Sequence, residues 1–278
     1  MKAAELLGLS NISFLEPDFE SLLDDRYTDR MLEVEGEEAL LLVDEEELPM
    51  AYGLRQSNRW IMTNFLVREP PYRVLEEFEE VGGRIFQEHW EKWMRAVREY
   101  YSLMLLRNHS PAVDDVPRER VEMVRSLIHD TWGEGDEEVC VDACCGSGVG
   151  SKALRGLNYR PISYDNDPSL LTLGISTGRI LPEEAMCIDG KMATKYMGPR
   201  DYGIMLMAGT IDESNSWVWE RIVEQLLILT HSTLVTVGNE DELERVEQFA
   251  RGMDRKVETF ENHRDPFYDK WVALISRD

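Results

Sequence analysis

From residue 117 onward, short apolar runs alternate with stretches whose apolar side chains recur at helical spacing. Pro117 opens a predicted helix with Val121, Val124, Leu127, Ile128 and Trp132 on one face, and Gly133-Glu134-Gly135-Asp136 ends it. Strands are predicted over residues 139–142, 161–165, 185–189, 202–207, 234–237, 256–260 and 270–275. Further helices fall between them. One begins at Pro168 and carries Leu170, Leu171, Leu173 and Ile175; a second covers about 214–230 with Val218, Ile222, Val223, Leu226 and Leu227; a third places Leu243, Val246, Phe249 and Met253 at helical spacing. Strands separated by crossover helices, closed by a hairpin, predict an α/β fold: a seven-stranded, mainly parallel sheet with helices on both faces.

Residues 1–116 carry a weaker pattern and are expected to form a separate, mostly helical accessory domain, with 117–278 as the second domain. Residues 31–35 and 39–43 flank Gly36-Glu37-Glu38 and suggest a small hairpin. A long helix is predicted over 84–106, with Phe86, Trp90, Trp93, Met94, Val97, Tyr100, Tyr101 and Met104 as its apolar stripe. Such a stripe is more often core than the wall of a substrate cavity. Residues 108–116, with Pro111 and Asp114-Asp115, read as a linker.

Composition narrows the function. With 54 acidic against 30 basic residues the net charge is −24, spread over both parts of the chain, so phosphate backbones are repelled and nucleic acid is a disfavoured partner. The acidity is read as a device for solubility, or for a salty or hot cell. No run of eighteen apolar residues exists to span a membrane, and Met1-Lys2-Ala3-Ala4-Glu5 is a poor secretory signal, which places the chain in the cytoplasm. Cys140, Cys144, Cys145 and Cys187 lack C-x-x-C spacing and read as reduced core residues; a redox role for the adjacent Cys144-Cys145 is the lesser alternative. His89, His109, His129 and His231 are scattered, so no metal site is expected.

The most informative stretch is 139–150, V-C-V-D-A-C-C-G-S-G-V-G. A strand ends at Asp142, and Gly146, Gly148 and Gly150 lead into a helix, a turn that lets a ligand approach the backbone and the amides of the helix start. Two more acids follow short apolar runs, Asp165 within Asp165-Asn166-Asp167-Pro168 and Asp189 before Gly190. Together these segments resemble the class I S-adenosylmethionine-dependent methyltransferases, over roughly residues 117–278. The resemblance implies S-adenosyl-L-methionine as cofactor. It places the methionine part against Asp142, Ala143, Cys144, Gly146, Ser147 and Gly148, the ribose hydroxyls on Asp165 with Asn166 beside it, and the adenine amino group near Asp189 and Gly190. It also implies a reversed seventh strand paired with the sixth. A nicotinamide-binding fingerprint would need a third glycine at 151, where the chain has Ser151, and leaves Asp189 without a role.

Methyl transfer from a sulfonium is an in-line displacement that needs alignment and exclusion of water, and a base only for some acceptors. The Asn/Asp-Pro-Pro-Tyr/Phe motif of amino-group methylases is replaced here by Ala208-Gly209-Thr210-Ile211-Asp212, which turns expectation toward a small-molecule or protein acceptor. His263, Asp212 and Tyr268 lie in loops after strands and are the weak candidates for a base or orienting group, His263 first. Alternatives in other classes are a non-catalytic cofactor-binding scaffold and an aminopropyl transferase on the same fold.

Overall fold

The computed structural model describes residues 2–277, and the chain divides into two compact units, Met1–Met104 and Leu105–Asp278. The second unit follows the predicted alternation closely. Its strands are β6 (Val139–Ala143), β7 (Arg160–Asp165), β8 (Ala185–Cys187), β9 (Arg200–Met205), β10 (Thr230–Val237), β11 (Lys256–Glu261) and β12 (Trp271–Ser276). Helices α5 (Arg120–Trp132), α6 (Val149–Arg155), α7 (Pro168–Ser176), α8 (Ser216–Leu229) and α9 (Glu240–Gly252) connect them. The sheet order is β11-β12-β10-β9-β6-β7-β8. All neighbours from β10 to β8 pair parallel, and β12 runs antiparallel to both β10 and β11. The expected reversed strand is therefore present, set between the fifth and sixth strands of the sheet.

Central strands of a parallel sheet are covered on both faces, so they read as unbroken apolar runs. Cys140, Ile204, Leu234 and Val272 pack in one cluster with Val124, Leu127 and Ile128 of α5 and with Val149, Ala153 and Leu154 of α6. β6 changes character at its C-terminal end, where buried Asp142 replaces an apolar side chain. The order reverses on either side of β6, which leaves a crevice at the carboxyl ends of the strands, where α/β sheets bind ligands.

The first unit departs from the predicted mostly helical domain. It is built on a five-stranded sheet: β1 (Ile12–Phe14), β2 (Ala39–Val43), β3 (Pro49–Gln56), β4 (Arg59–Asn64) and β5 (Gly83–Gln87), in the order β1-β4-β3-β2-β5. Helices α1 (Lys2–Leu6), α2 (Arg26–Met31), α3 (Tyr72–Val81) and α4 (Trp90–Asn108) accompany it. The hairpin expected from 31–35 and 39–43 is formed instead by β2 and β3, because every side chain of β2 is buried and the strand needs a neighbour on each edge. The predicted 84–106 helix is likewise split. Gly83–Gln87 pairs with β2, and Phe86 belongs to that strand although it falls in helical phase with Trp90. The rest of the stripe is core: Trp93, Met94, Val97, Tyr100 and Tyr101 are buried, and the Phe14 ring lies 4.4 Å from that of Tyr100 and edge-on to Trp93. No helix among the described residues is long and apolar enough to cross a membrane.

A buried ion pair ties this unit together. Glu16 Oε1 accepts from Thr63 Oγ1 (2.6 Å), the Asn64 amide (3.0 Å) and Arg68 Nη2 (2.6 Å), while Arg68 also donates to the Leu22 carbonyl and Thr28 Oγ1. Both side chains are nearly inaccessible, at 4% and 0%. Removing one partner of such a pair leaves a bare charge in the interior, at a cost of about 3–5 kcal/mol. Arg68→Ala is therefore expected to shift the urea midpoint, followed by tryptophan fluorescence, by an equivalent amount; an unchanged midpoint would show that Glu16 does not depend on the guanidinium.

Candidate functional site

The turn after β6 is shaped by residues with positive φ: Cys144 (50°), Gly146 (52°) and Gly148 (82°), the last capping α6. Two amides of this turn are sewn to the neighbouring strand. The Cys145 amide donates to the Tyr164 carbonyl (3.0 Å), and the Gly146 amide donates to Asp165 Oδ2 (2.8 Å). The third glycine serves packing. A Cβ at Gly150 would lie 2.6 Å from Ile204 Cδ1 and 2.7 Å from Asp142 Oδ1, so only glycine lets α6 settle onto the strand end. α6 itself is only seven residues long.

Asp142 is buried beneath the turn and accepts from Ser151 Oγ (2.6 Å). Burial raises its pKa from the ordinary 3.8 to about 7, against the lowering effect of the Ser151 hydrogen bonds. Asp165 ends β7. Its Oδ1 accepts from the Asp167 amide and its Oδ2 from Gly146, both at 2.8 Å, leaving lone pairs for a ligand. Desolvation raises its pKa and these backbone bonds oppose the rise. The acid-x-acid-Pro sequence thus divides its labour: Asp167 caps α7 through the Ser169 and Leu170 amides, with Pro168 in the first turn. Asp189 caps the 3-10 turn Gly190–Lys195, accepting from the Lys191 amide (2.9 Å), with Lys191 Nζ at 3.1 Å.

These residues border one cavity of about 610 Å³, within the ~300–1,000 Å³ range of small-molecule sites. Of the expected cofactor residues, Asp142, Cys144, Gly146, Ser147, Asp165, Asn166, Asp189 and Gly190 line it, joined by Gly150. Ala143 is fully buried within β6. Gly148 is the N-cap of α6, and a Cβ there would meet Ile180 Cγ1 at 2.3 Å. Cys145 and Tyr164 also line the cavity, and sequence reasoning assigned them no ligand role; Leu206, Met207 and Trp219 form apolar parts of its wall. All four cysteines are free thiols, and burial pushes the Cys144 and Cys145 thiols well up, keeping them protonated. The described residues contain no cluster of His, Cys, Asp and Glu able to hold a metal.

The candidate catalytic residues separate. Tyr268 lines the cavity. His263 is 82% exposed beside Glu261, outside the lining, and Asp212 is exposed and spends its carboxylate on Ser214, whose hydroxyl and amide hold its pKa down. Tyr268 is positioned by a residue that the sequence did not single out. Arg120, the first residue of α5, holds its guanidinium 4.9 Å from the Tyr268 ring centre and forks onto buried Asp269 (3.0 and 3.2 Å). Asp269 Oδ1 also accepts from Thr236 Oγ1 (2.6 Å), and Thr236 Oγ1 in turn accepts from the Met207 amide (2.7 Å). This relay fixes the ends of β9 and β10 and the β11–β12 loop around one side of the cavity. The only signal available for Arg120 was a basic residue opening an amphipathic helix, which points in many directions.

No protein-family model and no curated protein sequence matches the chain. Solved structures do resemble it. A proposed RNA methyltransferase from Pyrococcus horikoshii is 13% identical, with a TM-score of 0.47 over 65% of this chain and 97% of that one. Magnesium protoporphyrin IX methyltransferase from Synechocystis PCC 6803, solved with bound S-adenosylmethionine, is 14% identical, with a TM-score of 0.44 over 66% of this chain and 97% of that one. Ribosomal protein L11 methylase from Lactobacillus delbrueckii subsp. bulgaricus is 13% identical, with a TM-score of 0.44 over 62% and 91%. At such identities the likeness is one of fold, and these methyltransferases act by name on RNA, a porphyrin and a protein.

Proposed function

We propose that this protein is an S-adenosylmethionine-dependent methyltransferase whose cofactor occupies the cavity at the carboxyl ends of β6, β7 and β8, and whose acceptor is a small molecule or a protein. The observation that carries this reading is the convergence of Asp165, Asp189 and the Gly146 turn on one cavity of about 610 Å³. The donor set fits the group. Asp165 has free lone pairs for a ribose diol, and Gly146 has open space where a side chain would stand. Four carboxylates, those of Asp115, Asp142, Asp165 and Asp189, face one guanidinium across the lining, which favours a sulfonium cation with an ammonium group. When bound, the cofactor supplies an activated methyl group. The chain supplies position and dryness: Leu206, Met207 and Trp219 limit water, and Tyr268, held by Arg120, presents a hydroxyl to the acceptor. The net charge of −24 is what favours a small-molecule or protein acceptor over a nucleic acid.

Isothermal calorimetry with S-adenosylmethionine, S-adenosylhomocysteine and NADH tests the cofactor assignment. Binding of the first two without NADH is expected, and silence toward both would end the reading. Asp165→Ala is expected to weaken S-adenosylhomocysteine binding by about tenfold or more, roughly 1.4 kcal/mol; an unchanged affinity would remove Asp165 from the site. Mass spectrometry of turnover mixtures separates methyl transfer, which leaves S-adenosylhomocysteine, from aminopropyl transfer, which leaves methylthioadenosine.

The pH dependence reports on Asp142. Its pKa of about 7 in the free protein means that the carboxylate is largely protonated at pH 6 and ionised at pH 8. A cationic ligand favours the ionised form, so a proton must leave for binding at pH 6 and not at pH 8. Affinity for S-adenosylmethionine is therefore expected to rise several-fold from pH 6 to pH 8, and Asp142→Asn to flatten that rise. A wild-type profile already flat would confine Asp142 to holding the turn.

A further inference from the structure

Tyr164 occupies an uncomfortable position unless something binds beside it. It directly precedes Asp165 on β7, and its side chain is fully buried. Its carbonyl is satisfied by the Cys145 amide, but its hydroxyl has no hydrogen-bond partner. A buried hydroxyl without a partner is destabilising, and phenylalanine would fill the same space without that cost. Burial also pushes the hydroxyl pKa well up, so the group stays neutral and keeps both a donor and an acceptor.

The ring belongs to the cavity wall, together with Gly190 and Ile222. A Cβ added to Gly190 would be in ordinary contact with the edge of the Tyr164 ring and with the Ile222 side chain, both at 3.4 Å, so the ring adjoins the Asp189-Gly190 turn. Asp165 on one side and Asp189-Gly190 on the other place this wall at the end of the cavity assigned to the cofactor's ribose and adenine. Arg120, Tyr268 and Met207 mark a different part of the lining, tied together through Thr236 of β10.

Building on the cofactor assignment proposed above, we propose that Tyr164 is a cofactor ligand: its hydroxyl hydrogen-bonds the adenosine part of the bound cofactor and discriminates for it. The orphaned hydroxyl of the free protein is then satisfied only in the complex, and part of the binding energy comes from relieving it. Tyr164→Phe deletes that hydroxyl and leaves the ring.

The test compares wild type and Tyr164→Phe by calorimetry with S-adenosylhomocysteine and with 5′-methylthioadenosine, which lacks the amino-acid portion, and records the melting temperature of each free protein. Expected is a loss of about tenfold in affinity for both ligands, with the variant's free-state melting temperature equal to or above that of wild type. A merely structural hydroxyl would move the melting temperature downward, and that result would overturn the proposal. Equal binding by the two proteins, or a loss confined to S-adenosylhomocysteine, would overturn it as well. Failure of the wild type to bind either ligand would instead overturn the cofactor assignment itself, a result distinct from equal binding by the variant.

Discussion

The cavity exists because one buried carboxylate holds two turns at once. Asp165 takes the Gly146 amide on one oxygen and the Asp167 amide on the other, so the loop leaving β6 and the loop leaving β7 are locked to a common point. Carboxylate bonds to backbone amides are stronger than neutral ones, and here they act where the chain carries positive φ at Cys144, Gly146 and Gly148. The Cys145 amide on the Tyr164 carbonyl adds a third stitch. The backbone that borders the cavity in this region is placed by those bonds, as is the carboxylate that makes them.

Legibility in the sequence followed the physics of burial. Strands of the parallel sheet announce themselves because both faces are covered, and the crossover helices are long enough to show their period. Glycines and acids at strand ends are legible because turn geometry and ligand contact admit few residue types. The first unit lacked such markers. Gly83–Gln87 sits in phase with the helix that follows, and only its pairing with β2 makes it a strand; a Cβ at Gly83 would lie 2.1 Å from the Ala39 carbonyl oxygen, a constraint visible only once the partner is known. Arg120 and Tyr164 were invisible as site residues for a related reason. Arg120 meets Asp269 and Tyr268 far along the chain, and the Tyr164 ring adjoins Gly190 and Ile222, and neither relation leaves a spacing to read.

Charge is handled differently in the two units. The chain as a whole is strongly acidic, yet in the first unit Glu16 is paired with Arg68 and its Oε1 also accepts from Thr63 and a backbone amide. In the second unit Asp142, Asp165 and Asp189 border one cavity whose lining guanidinium, Arg120, is paired with Asp269, while Lys191 pairs with Asp189. Burial raises the pKa of Asp142 and of Asp165, and the Asp165 charge adds to the rise at Asp142, a cost that a nearby cation would offset. The first set serves the fold, and the second is the arrangement on which the proposed cofactor site rests.

The placement of β12 bears on the order in which the cavity is assembled. β11 joins the sheet only through β12, which slots between it and β10. The loop between those two strands carries Tyr268 and Asp269, whose carboxylate anchors Arg120 and Thr236. During synthesis from the N-terminus, the side of the cavity bordered by the ends of β6, β7 and β8 is translated while the opposite wall still waits for the β11–β12 loop. A nascent chain therefore presents the carboxylate-bearing side of the cavity before the wall that closes it opposite.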